Sequence, residues 1–386
     1  MKAKTLLLNL ALAAASLAVC AAVTEIAIRV WKRDIAFQPD PQLIRSLRPN
    51  VRRDVWSFDT PEVLATKRRT NAPQLLGLDY TNNVGLRMKD DVTAGSDEQR
   101  ILLLGDSFVE AEQVPDAERF YELAQRGLDQ GAHGRRWRIV NAGIQNGAPS
   151  QYILQLRRYL PQFHPAVVIV FLAPNDAEDD FSFEDRNGYE FDERGMPLQP
   201  ITRGRLWLLQ KFWTLRYGDV AAQRRLPWLE IRIWPPRLDG RRHPRWVGML
   251  CGGGDPEEFE WFRSKTGPYV AELKRMAEGA GARFAVVLTN YMWVFPDEPS
   301  AAPALDSSDQ RQCTATHGDA YRAFIHTYLS DRGILFDDPY ETLATAKTRT
   351  PAEKLWNFYD YHFSPAGHAV MATELLRFLR QRLAID

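Results

Sequence analysis

Ile101-Leu102-Leu103-Leu104-Gly105-Asp106-Ser107-Phe108 is the stretch from which the rest of the chain is read. Four apolar residues run into a glycine and then a serine. The pattern predicts a buried strand ending in a tight turn, with one hydroxyl held at the strand's carboxyl end. In open parallel sheets, ligands bind at that end. A serine fixed there is a candidate nucleophile once a base reaches it.

The sequence around it keeps a βα rhythm. Strands are expected at 100–104, 138–141, 166–172, 283–289 and 334–337. Helices are expected at 118–130, 150–159, 269–279, 320–331 and from Pro365 to about 383. This alternation predicts a parallel sheet covered on both faces. With 386 residues, 45% of them hydrophobic, the chain can build a large core. Lys plus Arg and Asp plus Glu balance at 49 each, which argues against nucleic-acid binding by bulk charge.

Thr5 to Thr24 carries no charge, with Lys2 and Lys4 before it and Glu25, Arg29, Lys32 and Arg33 after it. About twenty such residues cross a bilayer as a helix. The favoured reading is an uncleaved anchor with the bulk of the chain exported. A cleaved signal peptide ending among the small residues of 15–22, and a lipoprotein box at Leu17-Ala18-Val19-Cys20, are the alternatives. The expected division is 1–33 anchor or signal segment, 34–98 an N-terminal extension packing on the core, and 99–386 the main domain. An Arg- and Trp-rich insertion at about 181–256 (Trp207, Trp213, Trp228, Trp234, Trp246) reads as a lid or as a surface subdomain. In the exported part, Cys251 and Cys313 are the possible intramolecular pair, as a disulfide or as two thiols. No Cys and His residues fall at metal-ligand spacing.

Three further segments belong beside Ser107. The second strand ends in Asn141-Ala142-Gly143-Ile144-Gln145-Asn146-Gly147, and the third in Leu172-Ala173-Pro174-Asn175-Asp176. Near the C-terminus comes Asp360-Tyr361-His362-Phe363-Ser364-Pro365, where Ser364 and Pro365 read as the cap and first residue of a helix. Acyl chemistry at a serine needs a base and donors for the oxyanion. His362 is the expected base and Asp360 its orienting acid. The N–H groups of Ser107 and Gly143 and the Asn175 side-chain amide are the expected oxyanion donors. Plainer roles stand beside these: Gly143 as a turn glycine, Asn175 as a helix cap, Asp106 bonding turn amides. His368, on the helix, is expected to pack or bond locally. Asp176, Glu178, Asp179 and Asp180 are expected to be solvated carboxylates in a helix's first turn.

These four segments, in this order, resemble the four sequence blocks of the SGNH/GDSL hydrolase superfamily. Gly105-Asp106-Ser107 resembles the nucleophile block, Gly143 the glycine block, Asn175-Asp176 the asparagine block, and Asp360 with His362 the C-terminal acid and base. The match runs from about residue 100 to 386, the insertion excepted. Upstream, Asn82-Asn83-Val84-Gly85-Leu86-Arg87 is similar to a segment of bacterial membrane-anchored members. Two departures are visible: Ala173 stands where a glycine is usual, and the acid and base are spaced Asp-x-His rather than Asp-x-x-His.

The resemblance implies a three-layer α/β/α domain with a five-stranded parallel flavodoxin-like sheet, behind an N-terminal transmembrane helix. It implies a serine carboxylic ester hydrolase working through an acyl-enzyme, with no metal and no organic cofactor. The substrate would be an O-acyl ester, O-acetyl included, of an envelope glycan or lipid. The shorter spacing resembles polysaccharide O-acetylation proteins, so an O-acyltransferase to a sugar hydroxyl is the alternative, with a non-catalytic envelope scaffold behind it. The implied location is a bacterial inner membrane, single-pass, with the domain on the periplasmic or extracellular side.

Overall fold

The computed structural model describes residues 2–32, 36–57, 74–93, 97–131, 136–218, 256–289, 318–349, 354–357 and 362–385. The strands in chain order are β1 (Phe37–Asp40), β2 (Ile44–Leu47), β3 (Arg52–Ser57), β4 (Gln74–Tyr80), β5 (Gln99–Leu104), β6 (Trp137–Asn141), β7 (Val167–Leu172), β8 (Tyr189–Phe191), β9 (Pro197–Pro200), β10 (Arg283–Leu288) and β11 (Leu335–Asp337).

Five of them form one sheet, in the order β11-β10-β7-β5-β6, with every neighbour parallel. Counted along these five strands alone, the order is 2-1-3-4-5, the flavodoxin-like arrangement that the resemblance implied. The reason is burial. Leu102, Leu103 and Leu104 in β5 and Val167, Val168, Ile169 and Val170 in β7 have no solvent exposure at all. Central strands covered on both faces read as continuous apolar runs. Each such side chain contributes about 2 kcal/mol of burial.

Helices cover the sheet in two pairs. Phe120–Gly131 packs on the C-terminal helix Pro365–Leu383, and Pro149–Phe163 packs on Gly267–Gly279. Helix Tyr340–Arg349 had no sequence signal and packs on the C-terminal helix.

The 34–98 region supplies two antiparallel hairpins, β1–β2 and β3–β4. The first is tied to the main domain by bonds that cross more than a hundred residues. Arg158 clamps Asp40 at 2.8 and 2.9 Å, and Gln151 Nε2 donates to the Leu43 carbonyl at 2.7 Å. Of the 181–256 insertion, residues 181–187 continue the helix Asp176–Asn187, and the hairpin β8–β9 and helix Arg203–Lys211 follow. Trp228, Trp234, Trp246, Cys251 and Cys313 lie outside the described residues. At the N-terminus, Lys2–Trp31 is one 30-residue helix. Its stretch Lys4–Trp31, in which the most apolar 18-residue window has a mean hydropathy of 2.3, is long and apolar enough to span a membrane or to act as a signal anchor.

Candidate active site

Ser107 opens a one-turn helix, Ser107–Glu110, directly after β5. Asp106 caps it: Phe108 N–H donates to Asp106 Oδ1 at 2.9 Å. Gly105 before it has no room for a side chain, since a Cβ would stand 2.3 Å from Val109 Cγ2. The turn is therefore tight because its two ends touch.

His362 arrives from the other end of the chain. A short pairing of 354–357 with 362–364 carries it: Asn357 N–H donates to the His362 carbonyl at 2.8 Å, and Ser364 N–H to the Leu355 carbonyl at 3.0 Å. Ser364 caps the C-terminal helix through Gly367 N–H at 3.2 Å. Gly367 is required there, because a Cβ would fall 2.1 Å from the Leu355 carbonyl oxygen. The outcome is a contact across 255 positions: His362 Nε2 lies 2.7 Å from Ser107 Oγ. The imidazole also packs on Phe108, ring centroids 4.8 Å apart. Asp360 lies outside the described residues.

His368 takes no part in that pair. It is 1% exposed, stacks on Phe120 at 5.9 Å, and its Nδ1 accepts the Phe120 N–H at 3.3 Å. Burial, together with Arg119 and His362, pushes its pKa down to about 3, so it is neutral at ordinary pH. Local packing, as the sequence suggested, is its role.

Asn175 ends the β7 loop and opens helix Asp176–Asn187. Its Nδ2 donates to Asp179 Oδ2 at 2.7 Å, and its side chain also bonds Asp106. The Asn175 amide thus lies between two carboxylates at the base of the Ser107 turn. An amide nitrogen carries two protons, and these two carboxylates are the acceptors beside them.

The carboxylates of this helix correct the sequence reading. Asp176 is 0% and Asp180 3% exposed, so they are core groups and not solvated ones. Asp176 accepts the Ala173 N–H at 2.8 Å and Asp180 the Ser150 N–H at 2.8 Å. Burial raises Asp106 to about 6, Asp180 to about 7 and Asp179 to about 8; neighbouring carboxylates add to the last two. A polar helix face drawn from composition misses this, because the face turned toward Asp106 is set by the β7 loop. Among the described residues, no cluster of three or more His, Cys, Asp or Glu is arranged to hold a metal.

Gly143 is also placed differently from its expected role. Its N–H donates to Asn141 Oδ1 at 3.0 Å, and a Cβ there would lie 2.4 Å from the Glu110 nitrogen. Gly143 lets two backbones approach closely, and its N–H is already taken. The rest of the loop is similarly engaged. Ile144 N–H donates to the Gly105 carbonyl at 3.0 Å, Gly147 N–H to the Ile144 carbonyl at 2.8 Å, and Gln145 N–H to Glu110 Oε2. Asn146, at φ +51°, occupies the left-handed corner of this turn. Among the described residues, no hydrogen bond from its N–H is formed. The Asn146-Gly147 pair is of the kind that marks a turn, and is the signal by which the sequence could have shown it.

The carboxyl ends of β5, β6 and β7 thus bear Ser107, the Gly143–Gly147 loop and Asn175, and His362 reaches Ser107 from beside the C-terminal helix. The domain is a five-stranded parallel sheet in flavodoxin-like order with helices packed on it. No protein-family model and no curated protein matches this chain. Similar solved structures include the psychrotrophic esterase EstA from Pseudoalteromonas sp., at 13% identity and TM-score 0.38, covering 74% of this chain and 100% of that one. A lipase/acylhydrolase from Enterococcus faecalis is similar at 12% identity and TM-score 0.38, covering 74% and 96%. A member of the lipolytic protein G-D-S-L family from Veillonella parvula DSM 2008 is similar at 12% and 0.37, covering 73% and 99%. Overlaps of that size carry nothing about activity.

Proposed function

We propose that the chain is a serine ester hydrolase, with Ser107 as nucleophile, His362 as base and Asp360 as the acid that orients it. The observation that carries this reading is the 2.7 Å contact between His362 Nε2 and Ser107 Oγ at the carboxyl end of a parallel sheet. Ser107 Oγ attacks the ester carbonyl carbon while its proton passes to His362 Nε2. The tetrahedral intermediate collapses, and His362 returns that proton to the leaving alkoxide. Water then attacks the acyl-enzyme, again giving its proton to His362, and the carboxylic acid leaves as Ser107 Oγ is reprotonated.

The oxyanion donors in this reading are the Ser107 N–H and the Asn175 amide, whose side chain exchanges a carboxylate partner for the oxyanion. The third is the Asn146 N–H, in place of Gly143, whose N–H Asn141 already holds. The substrate is an O-acyl ester of an envelope glycan or lipid. The N-terminal helix is an uncleaved anchor that keeps the domain at the periplasmic or extracellular face of a bacterial inner membrane.

The test uses the full chain in detergent. Wild type turns over p-nitrophenyl acetate and takes up a fluorophosphonate at Ser107. Ser107→Ala and His362→Ala each lose at least about a thousandfold in turnover while keeping wild-type circular dichroism. Absence of both turnover and labelling in folded wild type overturns the reading.

A further inference from the structure

The N-terminal helix meets the folded domain where its uncharged run ends. Glu25 accepts from Trp213 N–H at 2.9 Å, Thr214 N–H at 2.8 Å and Thr214 Oγ1 at 2.9 Å. Arg29 donates through Nη2 to the Lys211 carbonyl at 2.5 Å. Residues 211–214 therefore stand level with positions 25–29 of the helix. At 1.5 Å per residue, the uncharged run 5–24 spans about 30 Å, the thickness of a bilayer's hydrocarbon core. A bilayer that holds this run puts 211–214 among the lipid headgroups. The neighbouring side chains suit that depth: Trp207, Leu208, Phe212 and Leu215 are 43–49% exposed on the same short segment. Exposed aromatic and leucine side chains are what the membrane–water interface takes up.

At this junction lies a cavity of about 360 Å³ lined by Arg29, Gln38, Arg48, Gln210, Lys211 and Trp213. Three cations and two amides surround one indole, and the Arg48 guanidinium lies 4.8 Å from the Trp213 ring centroid. The neighbouring carboxylate, Glu25, is engaged by Arg29 Nε at 2.7 Å as well as by the three donors of 213–214. We propose that this cavity binds the phosphate of an anionic phospholipid headgroup from the bilayer that holds the helix. Guanidinium, ammonium and amide groups donate to phosphate oxygens. A zwitterionic headgroup brings its own cation toward three others, so the anionic lipid is the one selected. A free phosphate uses the same donors, but it gains nothing from the exposed apolar side chains beside them. The proposal rests on the helix being an uncleaved anchor.

The experiment takes the full chain, extracted in mild detergent and reconstituted in nanodiscs. Native mass spectrometry counts phosphatidylglycerol and phosphatidylcholine retained from an equimolar mixture. The expected result is one retained phosphatidylglycerol in strong preference. In Arg48→Gln/Lys211→Gln that preference falls about 25-fold, at about fivefold per cation near an anionic lipid. Ester turnover and circular dichroism of the variant stay at wild type. Equal retention of both lipids, or unchanged preference in the variant, overturns the proposal. So does displacement of the lipid by millimolar inorganic phosphate, which marks a plain anion site. Resistance to carbonate extraction and an intact N-terminus report separately on the anchor; a mature chain starting beyond residue 31 overturns both readings.

Discussion

The Arg87 guanidinium, wholly buried, donates through Nε to Glu110 Oε1 at 2.7 Å. Glu110 closes the nucleophile helix, and its second oxygen accepts the Gln145 N–H. One carboxylate therefore joins the N-terminal extension, the Ser107 turn and the loop that carries Asn146. Asp79 extends the network, bonding Arg119 Nη2 at 2.5 Å and Arg53 Nε at 2.7 Å.

Removing one member of such a pair leaves a buried charge without its partner. Glu110→Ala is expected to cost about 3–5 kcal/mol in denaturant unfolding and to lower turnover by loosening the Gln145–Asn146 turn. Arg87→Met/Glu110→Met is expected to cost less than the sum of its single changes. Strict additivity would show that the two residues act independently.

Asn175→Ala is expected to lower kcat about a hundred- to a thousandfold with KM little changed, because an oxyanion donor acts in the transition state. Asn146→Gly keeps the N–H and favours the φ of +51°, so it is expected to retain turnover. Steady-state kinetics on both variants decide the matter. A large loss in Asn146→Gly would move the role from the backbone to the side chain.

His368 is held neutral, with its pKa pushed from 6.5 down to about 3. A folded-state value below the unfolded one gives stability that is present above pH 6.5 and lost as pH falls toward 3. His368→Leu is therefore expected to lose less Tm than wild type between pH 7 and pH 4, and to keep ester turnover at neutral pH. Thermal melts across that window make the comparison.

Asp179 has the opposite sign. Its pKa is raised from 3.8 to about 8, so the stability it contributes is full below pH 3.8 and is lost as pH rises through 8. Asp179→Asn, which cannot ionise, is expected to gain in Tm relative to wild type as pH rises from 5 to 8. A constant difference between the two melting curves would contradict the raised value.

Much of the fold was legible because its signals are local. The apolar run 101–104 has no polar break and so reads as a central strand, and Ser364-Pro365 marks a helix start by cap chemistry that two residues carry. The expected strands and helices fall within a few residues of those observed. The contents of 34–98 were not legible. Its hairpins are short, and Asp40, Leu43 and Asp79 gain their partners from residues far along the chain.

The site divides the same way. Ser107 and His362 stood out by type and neighbourhood, and the sequence by itself set the parallel βα order that brings strand ends together. Tertiary structure alone decided which donors are already engaged. Gly143 gives its N–H to Asn141, Glu110 captures Gln145, and the carboxylates at 176 and 180 turn inward. Periodicity tells which residues must leave water. Which hydrogen bond a given N–H makes depends on a partner that only the folded chain brings within 3 Å or so.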